Sequence, residues 1–599
     1  MSYSGLFKNP DKQILALQWV RKTNSFVRVI FTLLIFLVWI IDLGFPNQEI
    51  FPIHSLLYGI VLFVLGQNYL YRLLFIYKDA SRGRKQFEIF LTLLLHFSAF
   101  IQFGWMDSWI WLQAYESLLT NILIFLLFFI ELSRLSLGVN KMSLHPALIF
   151  ILSFLLVIFI GTLLLKLPNA TVQGISWIDA LFTATSAVCV TGLIVVDTAT
   201  AFTGLGQTIL MILFQLGGLG VMTFTSFFGF FFKGGQSLQS QLFIKDYINE
   251  DNIGKVGSTL INIILFTVVF EVLIGSIIFF LIDGNLFQTT GDRIFFSFFH
   301  SISAFCNAGF STLTNGLYEV GFRTEYHVHL VLAISIIVGG IGFPVIVSYA
   351  QMAKRVINNW LNVWTKKDSF YHHTPRIFNI NTRLTITSTL ILIILGFVTY
   401  WIFEEQHTLS GLSGYPKFVT AFFGSVTPRT AGFNTVDVSQ LALPTILIYL
   451  ILMWIGASPG STGGGLKTTT FAVAVLNAVS IAKGKDRVEV FNRQIDPETV
   501  RKAFAVMLLS FIVIGFGVFL VLFLNPDLQI LEVAFEVFSA FSTVGLSLGI
   551  TAKLSTGSKL VISIIMFLGR VGTLTVLVAF IRKTRSLRYK FPQESVFIS

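Results

Sequence analysis

The chain has 599 residues, of which 54% are hydrophobic and only 12% are charged, a composition typical of an integral membrane protein and not of several soluble domains. Apolar runs such as 147–165 and 504–524 can cross about 30 Å of hydrocarbon as helices. The two cysteines, Cys189 and Cys306, exclude a disulfide framework, although one bridge or two reduced side chains in tight space both stay open. No soluble catalytic domain is left outside the apolar runs.

The first 140 residues predict a helical region of their own. Hydrophobic runs near 26–42, 53–76, 88–105 and 110–131 are long enough for four membrane spans. This region, residues 1–140, lacks the glycine motif that recurs through the rest of the chain. We interpret it as an addition that packs against lipid or a neighbouring subunit, and a sensory or regulatory role is the alternative.

From residue 141 onward, one short glycine motif recurs four times, each time between two long apolar runs. The final glycines of the four copies are separated by 117, 123 and 113 residues. Near-equal spacing of this kind indicates an internal repeat. Each unit reads as a helix, a short half-helix, a glycine turn and a second helix. The four copies are Ser186–Leu193, Ser303–Phe310, Val426–Phe433 and Ser539–Leu546.

The repeat predicts an all-α membrane protein, with four pseudo-repeats of helix, pore loop and helix around one ion pathway and four extra N-terminal transmembrane helices. After the N-terminal region, the predicted units are residues 141–250, 251–375, 376–495 and 496–599. Their paired spans lie near 147–166 and 206–232, 258–282 and 328–350, 385–403 and 441–480, and 504–524 and 558–581. The total is twelve crossings.

The distribution of positive charge predicts the orientation. With both termini in the cytoplasm, 32 of the 41 lysines and arginines fall on the inner side, which agrees with the excess of positive charge in cytoplasmic loops. The net charge of +11 is therefore explained by topology and does not call for nucleic acid. All four glycine turns then hang from the outer face. The seven basic residues left outside are Lys166, Arg293, Arg323, Lys417, Arg429, Lys553 and Lys559.

The glycine turns predict a pore lined by backbone. Irregular backbone at membrane depth is tolerated only inside protein or along a wet cavity, and carbonyl oxygens can replace the water shell of a small cation. Glycine leaves those carbonyls unobstructed, and the partly negative end of each half-helix favours cations. A transporter of small organic solutes would have broken helices at the midplane, usually in two repeats. A membrane enzyme would need paired histidines, a metal cluster or a nucleotide loop, none of which the sequence carries.

Taken together, the motifs resemble the Trk/Ktr/HKT superfamily of potassium transporters, close to its TrkH- and KtrB-type pore subunits. The resemblance rests on 183–193, 303–310, 428–434, 539–546 and the glycine-rich stretch 456–469. It implies potassium uptake with one filter glycine per repeat, and Gly192, where sodium-preferring members carry serine, favours potassium. The implied filter residues, which would bind K⁺, are Val190, Thr191, Gly192, Asn307, Ala308, Gly309, Thr430, Ala431, Gly432, Thr543, Val544 and Gly545.

The stretch 456–470 interrupts the second span of the third unit. A continuous helix through 456–465 is unfavourable, because the stretch contains Pro459 and five glycines. In a helix interior each glycine costs about 1 kcal/mol and each proline about 3 kcal/mol relative to alanine. A phosphate loop is excluded, since no lysine directly follows a glycine there. A packing kink is the structural alternative. The resemblance implies an intramembrane gating loop under the filter, with Gly463, Gly464, Gly465 and Lys467.

Arg570 lies in the middle of the last apolar span. An arginine at the bilayer centre costs roughly 2.5–3.5 kcal/mol on insertion scales, so it should face water or a partner. One alternative is an ion pair with an acid such as Glu271 or Glu536. The resemblance instead places this arginine in the pathway below the filter, where its charge raises the barrier to cations and makes it part of the gate.

Several other residues are weaker candidates. Asp197 and Asp437 each follow a filter glycine by five residues and either raise cation concentration at the outer mouth or cap a turn. Arg429 is expected to brace the third pore loop through hydrogen bonds. His96 and His300 lie in apolar segments and are interpreted as core residues.

The resemblance also implies partners and a location. It implies a homodimer in a bacterial inner membrane, with a cytoplasmic nucleotide-binding regulatory subunit like TrkA or KtrA. The basic stretch 481–502, with Lys483, Lys485 and Arg487, offers that subunit a docking surface. No covalently bound cofactor is expected, K⁺ is the transported ion, and the nucleotide belongs to the partner alone. The protein is therefore expected to be a transporter and not an enzyme.

Overall fold

The computed structural model describes residues 10–45, 51–76, 82–103, 119–124, 126–128, 130–131, 146–220, 256–364 and 379–580. These residues are mostly helical. A two-residue antiparallel hairpin, β1 (Glu489–Val490) and β2 (Arg493–Gln494), pairs Val490 with Arg493. The predicted all-α class is therefore confirmed.

The N-terminal region forms a helical bundle with an apolar core of its own. Two buried ion pairs tie its helices together, one between Arg28 and Glu131 and one between Arg72 and Glu88 at 3.2 Å. Much of the predicted fourth span, 110–131, lies outside the described residues. The helices are α1 (Pro10–Gly44), α2 (Phe51–Tyr71, continued by a π-helical turn to Ile76) and α3 (Arg82–Gln102).

The rest of the chain repeats one arrangement of helices four times. The first unit contains α4 (Pro146–Leu165), α5 (Trp177–Val188) and α6 (Gly204–Leu219), and the second contains α7 (Val256–Leu281), α8 (Thr290–Cys306), α9 (Tyr326–Ile341) and α10 (Phe343–Trp364). The third contains α11 (Ile380–Phe403), α12 (Gly414–Val426), α13 (Leu443–Trp454) and α14 (Thr468–Ala482). The fourth contains α15 (Pro497–Leu524), α16 (Ile530–Ser542), α17 (Thr556–Val571) and α18 (Thr573–Phe580). We call α5, α8, α12 and α16 the pore helices.

All four pore helices pack into the centre of the molecule, and two of them, α5 and α8, begin at side-chain caps. Ser176 accepts a hydrogen bond from the Asp179 amide, and Thr289 does the same for Asp292, so each satisfies an amide that the first turn leaves open. Asp179 also accepts from Lys559 Nζ at 2.6 Å, which links the first and fourth repeats. The C-terminal halves of these helices are buried, and many of the exposed apolar residues lie on the long first helix of each unit.

Six helices of the described residues are long and apolar enough to cross a membrane, or eight if two bent pairs each count as one span. The second helix of each unit is short. The α9–α10 pair bends by 97° at Gly342 and the α17–α18 pair by 89° at Gly572, so the predicted spans at 328–350 and 558–581 are each broken by a sharp bend. Both glycines have positive φ, as does Gly220 after α6, and such a residue ends a helix.

Three second helices approach the pore helices so closely that only glycine fits. A Cβ added to Gly217, Gly339 or Gly569 would overlap the backbone carbonyl of Val188, Phe305 or Phe541. Each of those carbonyls belongs to the residue four positions before a motif glycine. The contact therefore has the same register in units one, two and four, and it sets the distance between the pore helix and the second helix.

We expect Gly339→Ala to destabilise the purified protein by about 1–3 kcal/mol or more, because the new methyl group meets backbone that cannot move away. Gly515→Ala is the matched control, since an added Cβ at Gly515 meets no atom within 4 Å. Thermal unfolding in detergent measures both. Equal melting temperatures for the two variants would contradict the packing argument.

Candidate functional site

Each pore helix ends in the same two-step turn. The residue two positions before the motif glycine is left-handed, and the glycine itself also has positive φ. Positive φ is uncommon for β-branched residues, so such strain marks a position that the surroundings impose. The left-handed residues are Val190 (φ 57°), Asn307 (58°), Thr430 (70°) and Thr543 (51°), and the glycines are Gly192 (87°), Gly309 (70°), Gly432 (77°) and Gly545 (95°).

The four turns meet in a closed ring. A Cβ added to any of the four motif glycines would lie 2.8 Å or less from the carbonyl oxygen of the residue before the next motif glycine. The contacts run in chain order and return to the start: Gly192 to Ala308, Gly309 to Ala431, Gly432 to Val544, and Gly545 to Thr191. Four separate stretches of backbone thus surround one axis, and a side chain at any glycine position would clash with the neighbouring repeat.

Hydrogen bonds fix each turn to the end of its own pore helix. The amides of Thr191, Ala308 and Val544 donate to the carbonyls of Ser186, Ser303 and Ser539, each at 2.8 Å. In unit three the Ala431 amide donates to the Thr427 carbonyl, which lies one residue closer to the motif glycine than the serine carbonyls do. Hydroxyl groups add a second link: Ser303 donates to the Phe310 carbonyl, Thr427 donates to the Phe433 carbonyl, and Ser539 accepts from the Gly545 amide.

A cavity of about 430 Å³ opens on one side of the ring, lined by the four motif glycines and by polar residues of the loops that follow them. We call it the mouth. Asp197 and Asp437 both line it. Each also caps a short helical turn, since Asp197 accepts from the Ala199 amide and Asp437 from the Ser439 amide. The two interpretations of these aspartates are therefore compatible.

The loop between α13 and α14 lies against the opposite side of the ring. The Gly464 amide donates to Thr543 Oγ1 at 3.0 Å, and a Cβ added to Gly463 would overlap Thr430 Oγ1. Thr430 and Thr543 are the left-handed residues of turns three and four. Lys467 donates from Nζ to the Gly463 carbonyl at 2.7 Å, so its ammonium group is held within the loop.

The same loop joins the break in the second repeat through backbone hydrogen bonds. The Ser458 amide donates to the Gly340 carbonyl at 3.1 Å, and the Phe343 amide donates to the Gly460 carbonyl at 3.0 Å. The Thr462 hydroxyl reaches the Phe305 carbonyl of pore helix α8 at 3.2 Å. The loop is thus a folded segment with partners in two other repeats.

Arg570 connects three repeats through carbonyl oxygens. Its guanidinium donates to the Thr462 carbonyl of the loop and to the Gly217 and Gly218 carbonyls at the end of α6. The proposed acid partners are engaged elsewhere. Glu271 accepts a hydrogen bond from the Gln215 side-chain amide at 3.0 Å. Glu536 accepts hydrogen bonds from the hydroxyl groups of Ser547 and Thr551, which follow the motif glycine of its own unit.

The remaining candidates have local roles. The Nε atom of buried Arg429 finds no hydrogen-bond partner in the described part of the chain, so the expected brace is not seen at that atom. His96 contacts Gln67 and the Thr92 carbonyl inside the N-terminal bundle. Cys189 and Cys306 are buried and not bridged. No group of three or more His, Cys, Asp or Glu side chains within the described residues could hold a metal ion.

Comparison with known proteins assigns the family. The model of the TrkH family, described as cation transport proteins, matches residues 120–589. The chain belongs to the TrkH family. It is 37% identical to Ktr system potassium uptake protein B of Bacillus subtilis over 76% of this chain and 96% of that protein. It is 35% identical to potassium/sodium uptake protein NtpJ of Enterococcus hirae over 76% of this chain and 98% of that protein.

A solved structure supports the fold. The potassium transporter TrkH of Vibrio parahaemolyticus matches with a TM-score of 0.57 at 17% identity, over 89% of this chain and 99% of that one. The resemblance read from the motifs is thus confirmed, and the family is one of ion transporters and not of enzymes. The chain is a multi-pass membrane protein of the TrkH family with four pseudo-repeats.

The sequence interpretation missed two groups of residues. The second-helix glycines Gly217, Gly339 and Gly569 were not singled out, although each lies at the same distance from the end of its helix. His300 is buried as expected and Glu536 is named in the sequence analysis only as a possible partner of Arg570, but both also contact the loop after a motif glycine. Both lie nine residues before that glycine, and an alignment of the four repeats would have revealed the shared position.

Proposed function

We propose that this member of the TrkH family takes up potassium through the ring of four glycines. The observation that carries the proposal is the closed ring, in which backbone from four repeats surrounds one axis with carbonyl oxygens between neighbours. Such oxygens replace the water shell of a dehydrated cation at little cost when their positions are fixed. The relatives are named as potassium or potassium/sodium uptake proteins, which supports potassium as the ion.

In this proposal the filter is formed by the three residues that end at each motif glycine. Ions enter from the mouth, where Asp197 and Asp437 raise the local cation concentration. The four pore helices end at the ring, and the partly negative ends of their dipoles favour a positive charge there. Gly192 completes a ring of four glycines, and we assign potassium selectivity to that complete set.

We expect the wild-type chain to restore growth at limiting potassium to a bacterial strain without its own potassium uptake systems. Gly192→Ser should reduce potassium uptake, and the ratio of potassium to sodium uptake should fall by about tenfold, or about 1.4 kcal/mol. The physical reason is that a Cβ at Gly192 lies 2.5 Å from the Ala308 carbonyl oxygen.

The matched control is Gly174→Ser. Gly174 also has positive φ, at 80°, but an added Cβ there meets no atom within 4 Å. It therefore carries the backbone strain of the substitution without the clash in the ring. Sodium uptake by the wild type without potassium uptake would overturn the choice of ion, and equal effects of the two variants would overturn the filter assignment.

The loop 456–470 and Arg570 form the proposed gate. Gly463 and Gly464 press against threonines of two filter turns, so the loop blocks the path on the side of the ring opposite the mouth. Arg570 holds that loop through the Thr462 carbonyl and adds a positive charge beside the path. Lys467 folds back on the Gly463 carbonyl and keeps the three consecutive glycines in their closed shape.

Arg570→Ala should increase potassium flux severalfold at equal amounts of protein in the membrane. The variant removes both the tether to the loop and the charge that repels cations, and a barrier lower by about 1.4 kcal/mol gives about tenfold faster passage. Arg570→Lys keeps the charge and loses the planar fork that reaches several carbonyls at once. An intermediate flux for the lysine variant is expected, and unchanged or lower flux in Arg570→Ala would contradict the gate.

We further assign the chain to a bacterial inner membrane as a homodimer, with both termini in the cytoplasm. The face carrying the β1–β2 hairpin then lies in the cytoplasm, where Lys483, Lys485 and Arg487 are exposed. This surface suits an acidic patch on a nucleotide-binding regulatory subunit like TrkA or KtrA. Such a partner acts on the gate through α14, which begins directly after the loop and ends at the exposed lysines.

Neutralising Lys483, Lys485 and Arg487 together should weaken co-purification of such a regulatory subunit, most strongly at low salt, because exposed charges are screened as ionic strength rises. The control neutralises Arg323 and Lys553, which are exposed on the predicted outer face. Recovery of the regulator in equal amounts with both variants would contradict this docking surface.

A further inference from the structure

Two loops after the proposed filter share a hydrogen-bonding pattern that the filter itself does not account for. Ser311 lies two residues after Gly309, and Ser547 lies two residues after Gly545. Each serine Oγ accepts from the amide two positions further on, Leu313 at 3.1 Å and Gly549 at 3.0 Å. Both serines line the mouth.

Each of these serines also contacts its own pore helix at one and the same position. Ser311 Oγ lies 2.9 Å from His300 Nε2, and Ser547 Oγ lies 2.8 Å from Glu536 Oε2. His300 and Glu536 are both nine residues before the motif glycine, and both side chains are fully buried. The pore helix therefore holds the loop beyond the filter through a polar side chain behind it.

The chemistry of the two contacts is the same although the residues differ. His300 Nδ1 lies 2.9 Å from the Phe296 carbonyl, which can only accept, so Nδ1 carries the proton in the neutral ring and Nε2 is an acceptor. The Ser311 hydroxyl must then donate to Nε2. Ser547 likewise donates to the Glu536 carboxylate, whose second oxygen accepts from Thr551. In both repeats the serine accepts from the loop and donates to the helix.

The other two repeats lack this link. Thr183 lies nine residues before Gly192, but its buried hydroxyl has no hydrogen-bond partner in the described part of the chain. The residue two positions after Gly192, where units two and four have serine, is Ile194, which has no hydroxyl group. In unit three Asn434 follows the glycine at the same distance as the serines, and it donates instead to the Asn315 carbonyl of the neighbouring repeat at 3.1 Å. Only the second and fourth repeats, which are not neighbours in the ring, are braced in this way among the described residues.

We propose that His300 and Glu536 are positioning residues that set cation selectivity by holding filter turns two and four from behind. The inference rests on the proposed filter and deepens it. A turn held only by its own backbone can relax to fit a smaller ion, whereas a turn tied on both sides of the glycine keeps its carbonyls at one spacing. Burial strengthens this link, because an acceptor left without its hydroxyl is costly inside the protein.

The experiment compares cation selectivity in purified protein and in vesicles. Ser311→Ala and Ser547→Ala remove the two hydroxyls, and each should lower the ratio of potassium to sodium flux by roughly three- to tenfold. Ser547→Thr keeps a hydroxyl and should restore most of the ratio. His300→Leu should act like Ser311→Ala, whereas His300→Gln, whose amide oxygen can take the place of Nε2, should retain selectivity.

Thr183→Val is the matched control, since it removes a hydroxyl at the same pore-helix position without removing a hydrogen bond. His300→Leu combined with Ser311→Ala gives a double-mutant cycle, and its effects should be less than additive if the two side chains act as one contact. A purely structural role would lower protein yield and total flux together while leaving the selectivity ratio unchanged. That outcome, or a ratio in both alanine variants equal to that of Thr183→Val, would overturn the inference.

A second measurement separates failure of this inference from failure of the proposed function. The melting temperature of the wild-type protein is compared in lithium, sodium, potassium, rubidium and caesium chlorides, because a cation bound to the folded state raises it. Stabilisation by lithium or sodium without stabilisation by potassium would refute the proposed function, and the same variants would then be judged with that ion. Potassium-specific stabilisation that the alanine variants retain in full would refute the brace alone.

Discussion

Backbone that leaves a helix within a membrane must find its hydrogen-bond partners inside the protein, because lipid offers none. This constraint explains why the irregular segments of the chain lie against one another. The turn amides donate to pore-helix carbonyls. The Ser458 and Phe343 amides form hydrogen bonds between the loop and the helix break at Gly342. Arg570 adds donors for the carbonyls at the end of α6. None of these segments could be irregular alone, so the ring, the loop and the helix breaks form one unit.

A second constraint is space. The second helices approach the pore helices at Gly217, Gly339 and Gly569, and the turns approach one another at the four motif glycines. Side chains are excluded at both layers, so backbone alone lines the axis there, and side chains can hold that backbone only from behind. A filter that must tell apart cations of similar charge needs this stiffness, since selectivity depends on the spacing and number of the oxygens.

Much of this architecture could be predicted from the sequence, because membrane spans and repeats leave strong patterns. The four motif glycines at near-equal spacing predicted the ring, and the run of glycines at 463–465 predicted an interrupted helix. The bends at Gly342 and Gly572 could not be predicted, because glycines are common in apolar membrane helices and the φ that one of them takes depends on distant contacts. The partner of Arg570 was also missed, because carbonyl oxygens leave no mark in a sequence whereas acids do.

The four repeats are alike in the ring and unlike behind it, and this difference has a physical consequence. Identical backbone around the axis gives an ion similar surroundings on four sides. Behind the ring, units two and four carry buried acceptors, and unit three supplies the loop. Unit one carries the Thr183 hydroxyl, which has no hydrogen-bond partner among the residues that the structure describes. A pore made of identical subunits would have to repeat any such device four times. In the proposed function, a single chain can therefore hold some turns firmly and leave others to respond, so unit three can move the gate while its neighbours keep the filter in shape.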